Sequence, residues 1–178
     1  MKRTLLLMVL AMMLIATPAM AKEGLFVGAY LLPSVMVQGE DGSGYGFRAG
    51  LGFGKYLSIQ GQVEKSEFDQ TGGGKVKLTG AAVDLRLNFP LTTLDSANVM
   101  SFEPYVQFGY GLSYEAKPDG QSSSSGNGPR VGFGLEQYLF RELSVNVGWT
   151  RTEISFDNPI NEDVVIRAVD IGLTYHFQ

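Results

Sequence analysis

His176 is the only histidine in this 178-residue chain, and the chain has no cysteine. A general base, a zinc ligand or a member of a catalytic triad needs partners that converge on it. The sequence offers no second histidine and no thiol, and Asp170, the nearest acid of the same strand parity, stands well back along the chain. No catalytic, cofactor-binding or metal-binding residue is therefore expected, and no enzymatic activity. Two other stretches fail on spacing. Asp157–Asp163 bunches acids and asparagines without the ligand spacing of an EF-hand loop. Gly50-Leu51-Gly52-Phe53-Gly54-Lys55 lacks both the spacing and the following serine or threonine of a phosphate-binding loop.

The charges with a structural task are Arg48, Glu64, Asp84, Arg86, Glu136 and Asp170. Each shares its parity with glycine, serine, asparagine or glutamine, opposite a row of apolar residues. Charges crowded into one narrow interior are costly unless paired. Arg48 and Arg86 are expected to bridge the acids and plug that interior. A gate that opens for small ions is the other reading of the same residues.

Eight alternating segments must position these groups. In the last, Val169, Ile171, Leu173, Tyr175 and Phe177 oppose Asp170, Gly172, Thr174 and His176. Strand side chains alternate with period two, so one face is apolar and the other polar or minimal. The same pattern recurs in Leu25–Leu32, Tyr45–Phe53, Leu57–Glu64, Lys77–Phe89, Tyr105–Tyr114, Val131–Glu136 and Leu143–Thr150. Pro33 lacks a ladder donor and marks a strand end or a bulge. Glycines 28, 46, 50, 52, 109, 111, 132, 134 and 148 keep to the polar parity. There they would leave room for Arg48, Arg86, Gln60 and Gln107 in the small interior of an eight-stranded barrel.

A soluble strand shows a charged face to water, whereas in the last strand the polar face, Asp170, Gly172, Thr174 and His176, is small and nearly uncharged. That arrangement suits hydrocarbon outside and a narrow polar lumen inside. Only a closed barrel satisfies every strand edge in a bilayer. The expected fold is all-β, an eight-stranded antiparallel transmembrane β-barrel. Tyr45, Tyr110, Tyr114, Tyr138, Trp149, Tyr175 and Phe177 are expected at its membrane interfaces, as aromatic girdles. Lys2 and Arg3, the apolar run Leu5–Ile15 and Ala19-Met20-Ala21 read as a cleaved signal peptide over residues 1–21. The barrel domain is then residues 22–178. Removing Lys2 and Arg3 from 14 basic residues leaves 12 against 18 acids, a net charge of −6 that argues against nucleic acid as a partner.

The connections alternate in kind. Met36–Ser43, Glu67–Lys75, Glu115–Pro129 and Asp157–Asp163 are polar, rich in glycine and serine, and expected as loops on one rim. Lys55-Tyr56, Leu91–Met100 and Phe140–Glu142 lie on the other, the short-turn rim, where two of the three are tight and Leu91–Met100 is longer than that pattern predicts. Within the third loop, Gln121–Gly128, with its four consecutive serines, is expected to be a flexible tip. The stretches Leu-Phe-Val-Gly-Ala-Tyr-Leu (25–31), Pro-Tyr-Val-Gln-Phe-Gly-Tyr-Gly (104–111), Gly-Phe-Gly-Leu-Glu (132–136) and the Tyr-His-Phe ending resemble the OmpA/OmpX-type barrel domain of Gram-negative outer membranes. The resemblance implies export through the periplasm, a monomer, and a role in envelope integrity or surface contact through the long loops. It implies lipopolysaccharide as a neighbour, which Arg151 and Arg167 could meet through its phosphates, a surface ligand, and the barrel-assembly machinery. Leu173, Tyr175 and Phe177 resemble the signal read by that machinery, displaced by one residue because Gln178 follows. Lipid A-modifying enzymes share this barrel size, but they need a serine, histidine and acid where lipid can reach them. Two alternatives remain at this point: a narrow porin-like channel, and a soluble periplasmic lipocalin-like barrel that binds an apolar ligand.

Overall fold

The computed structural model describes residues 24–69, 74–91, 101–120, 122–157 and 162–177. The expected signal peptide, Gln178, most of the Leu91–Met100 connection and the centre of the Asp157–Asp163 loop lie outside the described residues. Eight strands run β1 (Gly24–Val37), β2 (Glu40–Phe53), β3 (Leu57–Asp69), β4 (Lys75–Asn88), β5 (Ser101–Pro118), β6 (Ser124–Tyr138), β7 (Leu143–Phe156) and β8 (Asp163–His176). They pair antiparallel in sequence order and close when β8 pairs with β1, with Leu31 opposite Ile171. No helix occurs among the described residues.

The strands are longer than a bilayer requires. A tilted strand crosses in roughly 9–11 residues, yet β3 has 13 and β5 has 18. The surplus comes from segments expected to be loops. Met36–Ser43 is mostly strand, with the chain reversing at Gln38-Gly39, both with positive φ (52° and 94°). That is the backbone a tight two-residue hairpin demands. Glu115–Pro129 is likewise strand on both sides of a turn between Pro118 and Ser124, so Ser124–Gly128 belongs to β6 rather than to a flexible tip.

The reason these segments read as loops is that their alternation inverts. In the band nearest the short turns, Phe47, Val63, Leu85, Phe108, Phe133, Val147 and Leu173 point outward and are exposed. Arg48, Gln60, Asp84, Gln107, Asn146 and Thr174 point inward and are buried. Beyond that band, Asp41, Lys65, Lys77, Glu115, Asn127 and Glu153 face outward. There the interior is apolar: Val35, Phe68, Leu78, Tyr114, Ile154 and Ile166 form one buried cluster. Each such side chain, fully buried, contributes about 1.5–3 kcal/mol. The outer part is built like a soluble barrel, with grease inside and charge in water.

Bulges accompany the change. The β1 register shifts around Pro33, so that Leu32 and Val35 both face inward. A bulge places two residues opposite one and re-aims the side chains beyond it. On β5 the shift falls between Gly111 and Tyr114. Leu112 and Ser113 are both exposed there, and Tyr114 swings inward with no exposed surface. Ser113, expected inside, is therefore outside, and Tyr114, expected at the girdle, is at the centre of the barrel. Gly80 and Gly111 make room for it, since a Cβ at either would run into its ring.

Candidate functional site

The lumen of the membrane band holds three stacked charge networks, each assembled across strands distant in sequence. At the short-turn mouth, Arg86 on β4 donates to Glu136 on β6, and its Nε donates to Asn88 at 2.8 Å. Its guanidinium lies 3.6 Å from the centroid of the Tyr105 ring, within cation–π range. One tier up, Arg48 on β2 meets Asp170 on β8 at 2.7 Å, and Asn146 donates to the same carboxylate oxygen at 2.8 Å. The Arg48 guanidinium lies 4.3 Å from the centroid of the Tyr30 ring.

The upper tier closes on Glu64. Its carboxylate accepts from Tyr114 at 2.7 Å and from Tyr30 at 3.2 Å, and Arg130 Nη1 stands 3.4 Å away. Arg130 also donates to Tyr114 at 2.8 Å and holds Nε 3.6 Å from Asp84. Arg48 and Arg86 thus each meet one of the four acids singled out from the sequence, while Glu64 and Asp84 meet Arg130. This third arginine escapes a reading of the sequence in which Pro129 ends a loop, although Arg130 shares the parity of Gly132. Glu103, only 1% exposed and directly opposite Glu136, escapes it for a similar reason. The alternation on its strand is clear only from Tyr105 onward.

His176 does have partners, contrary to the expectation from sequence. Its Nε2 lies 3.1 Å from Ser144 Oγ and 3.3 Å from Glu136 Oε1. Serine, histidine and acid are therefore together, but not in triad order. A triad needs the acid on the far ring nitrogen, orienting the base toward the nucleophile. Here the acid and the serine share one nitrogen, Ser144 donates to Glu136 at 2.5 Å, and Ser144 has no exposed surface. In this arrangement Ser144 is a buried hydrogen-bond donor to the Glu136 carboxylate. Tyr138, expected at a girdle, packs inward against His176 with ring centroids 5.0 Å apart. No cluster of potential metal ligands occurs among the described residues.

Leu173, Tyr175 and Phe177 face outward and are roughly half exposed, the last two in edge contact at 5.1 Å. Tyr45 and Tyr110 face outward as well, and Trp149 packs against Phe133 with centroids 5.3 Å apart. This continuous apolar belt around a closed, charge-filled barrel is the geometry of a protein solvated by lipid. The chain matches the family described as "Outer membrane protein beta-barrel domain" over residues 7–177. It belongs to that family. It is an outer-membrane protein of the Gram-negative type, and the soluble periplasmic reading is thereby set aside.

Solved structures share this family's fold. Neisserial surface protein A superposes with a TM-score of 0.61 at 15% identity, covering 86% of this chain and 97% of that one. The outer membrane protein AlkL, determined in lipid bilayers, gives 0.56 at 16% identity, covering 92% and 94%. Ail, the attachment invasion locus protein of Yersinia pestis, gives 0.50 at 15% identity, covering 86% and 96%. A comparison with curated protein sequences yields no match.

Proposed function

We propose that this outer-membrane barrel is a monomeric, non-enzymatic and non-conducting support that carries a rigid extension beyond the membrane for surface contact and envelope integrity. One observation carries the reading: three tiers of paired charge fill the lumen while all eight strands continue past the apolar belt around a core of their own. Outer-membrane barrels send their longer connections outside the cell. Counted from the last apolar belt residue of one strand to the first of the next, the excursions through the extension, such as Tyr110 to Val131 and Trp149 to Val169, are long, so the extension stands outside the cell. There its polar outer face meets a surface ligand. A structural relative that is an attachment protein is consistent with that role, although the likeness extends to the fold alone.

The remaining parts of the reading concern biogenesis and surroundings. Residues 1–21 direct export and are removed. Leu173, Tyr175 and Phe177 present the strand end that the barrel-assembly machinery reads. Lipopolysaccharide surrounds the outer half of the belt.

Planar-bilayer recording of the purified protein tests the sealed lumen, with a flat current expected. Reproducible single-channel steps would instead favour the narrow channel for small solutes. Attachment of expressing cells to host-cell and matrix surfaces tests the contact role. Shortening the β5–β6 hairpin to the height of the belt should abolish attachment and leave the heat-modifiable barrel in the outer-membrane fraction. Undiminished attachment by the shortened barrel would refute it.

A further inference from the structure

Arg151 on β7 and Arg167 on β8 stand directly opposite each other and face outward. Like charges in directly opposed cross-strand positions repel and destabilise the pair unless something bridges them. Glu153, one pleat further from the membrane, contacts Arg151 at 2.5 Å. Among the described residues that leaves two guanidinium groups against one carboxylate, and Arg151 Nε is buried with no hydrogen-bond partner. The neighbours of Arg167 in register are Met36 and Arg151.

The height of the pair is informative. Trp149 and Val169, opposite each other one pleat below, are the last apolar outward residues of their strands before the two arginines. The arginines therefore sit where hydrocarbon gives way to headgroups. Below Arg167 the outer face of the barrel carries a shallow, open apolar trough across β7, β8, β1 and β2. Ala29 forms its floor, and Leu31, Phe47, Ile171 and Leu173 form its walls. Ile171 lies on the Arg167 face of β8, about 13 Å further into the belt at the usual strand rise.

We propose that Arg151 and Arg167 bind the phosphoryl group of an outer-leaflet glycolipid, with one of its acyl chains seated in the trough over Ala29. Arginine is suited to this because its fork of N–H donors matches phosphate oxygens two at a time. An anion between the two guanidinium groups removes their repulsion, and the trough selects a phosphate that carries hydrocarbon over a free one. The site rests on the reading that lipopolysaccharide surrounds the outer belt. A second like-charged pair, Lys77 opposite Lys117, supplies a control. It stands higher on the extension, and Glu67 lies directly across from Lys77.

The full-length barrel refolded in phosphatidylcholine vesicles, titrated with bisphosphorylated lipid A, provides the test. Trp149, the only tryptophan in the chain, lies one pleat below Arg151 and reports binding by fluorescence. The double variant R151Q/R167Q should bind about tenfold more weakly or worse, as expected for losing charge-assisted hydrogen bonds. R151K/R167K should retain part of the affinity, and K77Q/K117Q all of it. If R151Q/R167Q fails to fold, R167Q alone should show a smaller loss in the same direction. No response from the wild type would overturn the lipopolysaccharide reading along with the site. Equal binding by wild type and R151Q/R167Q would overturn the site and leave that reading standing. A matching response to dephosphorylated lipid A, or to inorganic phosphate, would overturn the assignment of a phosphorylated glycolipid as the ligand.

Discussion

The lower and upper halves of this barrel are made by the same eight strands, yet they bury opposite things. In the belt the interior is charged and the exterior apolar; in the extension the interior is apolar and the exterior charged. The backbone ladder passes through both without interruption, so hydrogen bonding does not distinguish them. The outside solvent does. Hydrocarbon offers no reward for hiding apolar groups, so the belt is specified inside by directional contacts between arginine, carboxylate and tyrosine. Water does reward hiding them, so the extension fills with Val35, Phe68, Leu78, Ile154 and Ile166. The contrast shows that period-two patterning records where a solvent ends as well as which face is buried.

The largest expected effect breaks the belt from within. Arg130→Ala leaves Glu64 and Asp84 facing each other in the lumen without their cation. Removing one partner of a buried ion pair costs about 3–5 kcal/mol. Urea unfolding in micelles should show a loss of that size, and a change below about 1 kcal/mol would mean that the tier is not holding the barrel.

A second test sharpens the boundary between the halves. Phe108→Arg places a charge on the outward face of the belt, which costs about 2–4 kcal/mol near the bilayer midplane. Glu115→Arg, on the same strand but outward in the extension, should cost little. Equal penalties from the two in vesicle-folded protein would erase the distinction between belt and extension.

The smallest effect belongs to the surface of the extension. Glu67 and Lys75 pair at 2.5 Å near the β3–β4 turn, with both side chains about half exposed to water. The hydrogen bond from Lys75, followed by its charge, lowers the Glu67 carboxyl below its ordinary value. A carboxyl whose folded pKa is depressed stabilises the fold above its unfolded-state pKa and loses that contribution as the pH falls through the folded value. Opening of this hairpin, followed by hydrogen exchange, should therefore increase slightly in that acidic window. E67Q should remove the pH dependence and leave the rest of the barrel unchanged.

Legibility depended on how long the alternation ran before a bulge. Leu143 through Trp149 and Val169 through Phe177 each carry enough apolar repeats to reveal strand, face and solvent together. The extension contributes only short inward rows such as Val76 and Leu78, or Ile154 and Phe156, among outward charges. Leu78 falls within the Lys77–Phe89 segment, but Val76, Ile154 and Phe156 lie between the expected segments and loops and are assigned to neither. Counting parity through Leu112-Ser113 also sends Tyr114 to the wrong side, because nothing in the residue types announces the extra residue. Arg130 and Tyr138, in contrast, were within reach: both share a parity with Glu136, and extending that strand in each direction places them inside.

The amino-acid order alone determined the two faces of each belt strand, and through them the bilayer and the closed barrel that a bilayer requires. This is because face alternation is set by the covalent geometry of adjacent residues. Which charges meet was decided only by tertiary structure. Asp170 reaches Arg48 because β8 closes onto β1 and strand stagger brings it level with β2, and His176 finds Ser144 and Glu136 through the registers of β6, β7 and β8. Register and stagger are properties of the whole ring of strands, and no single segment contains them.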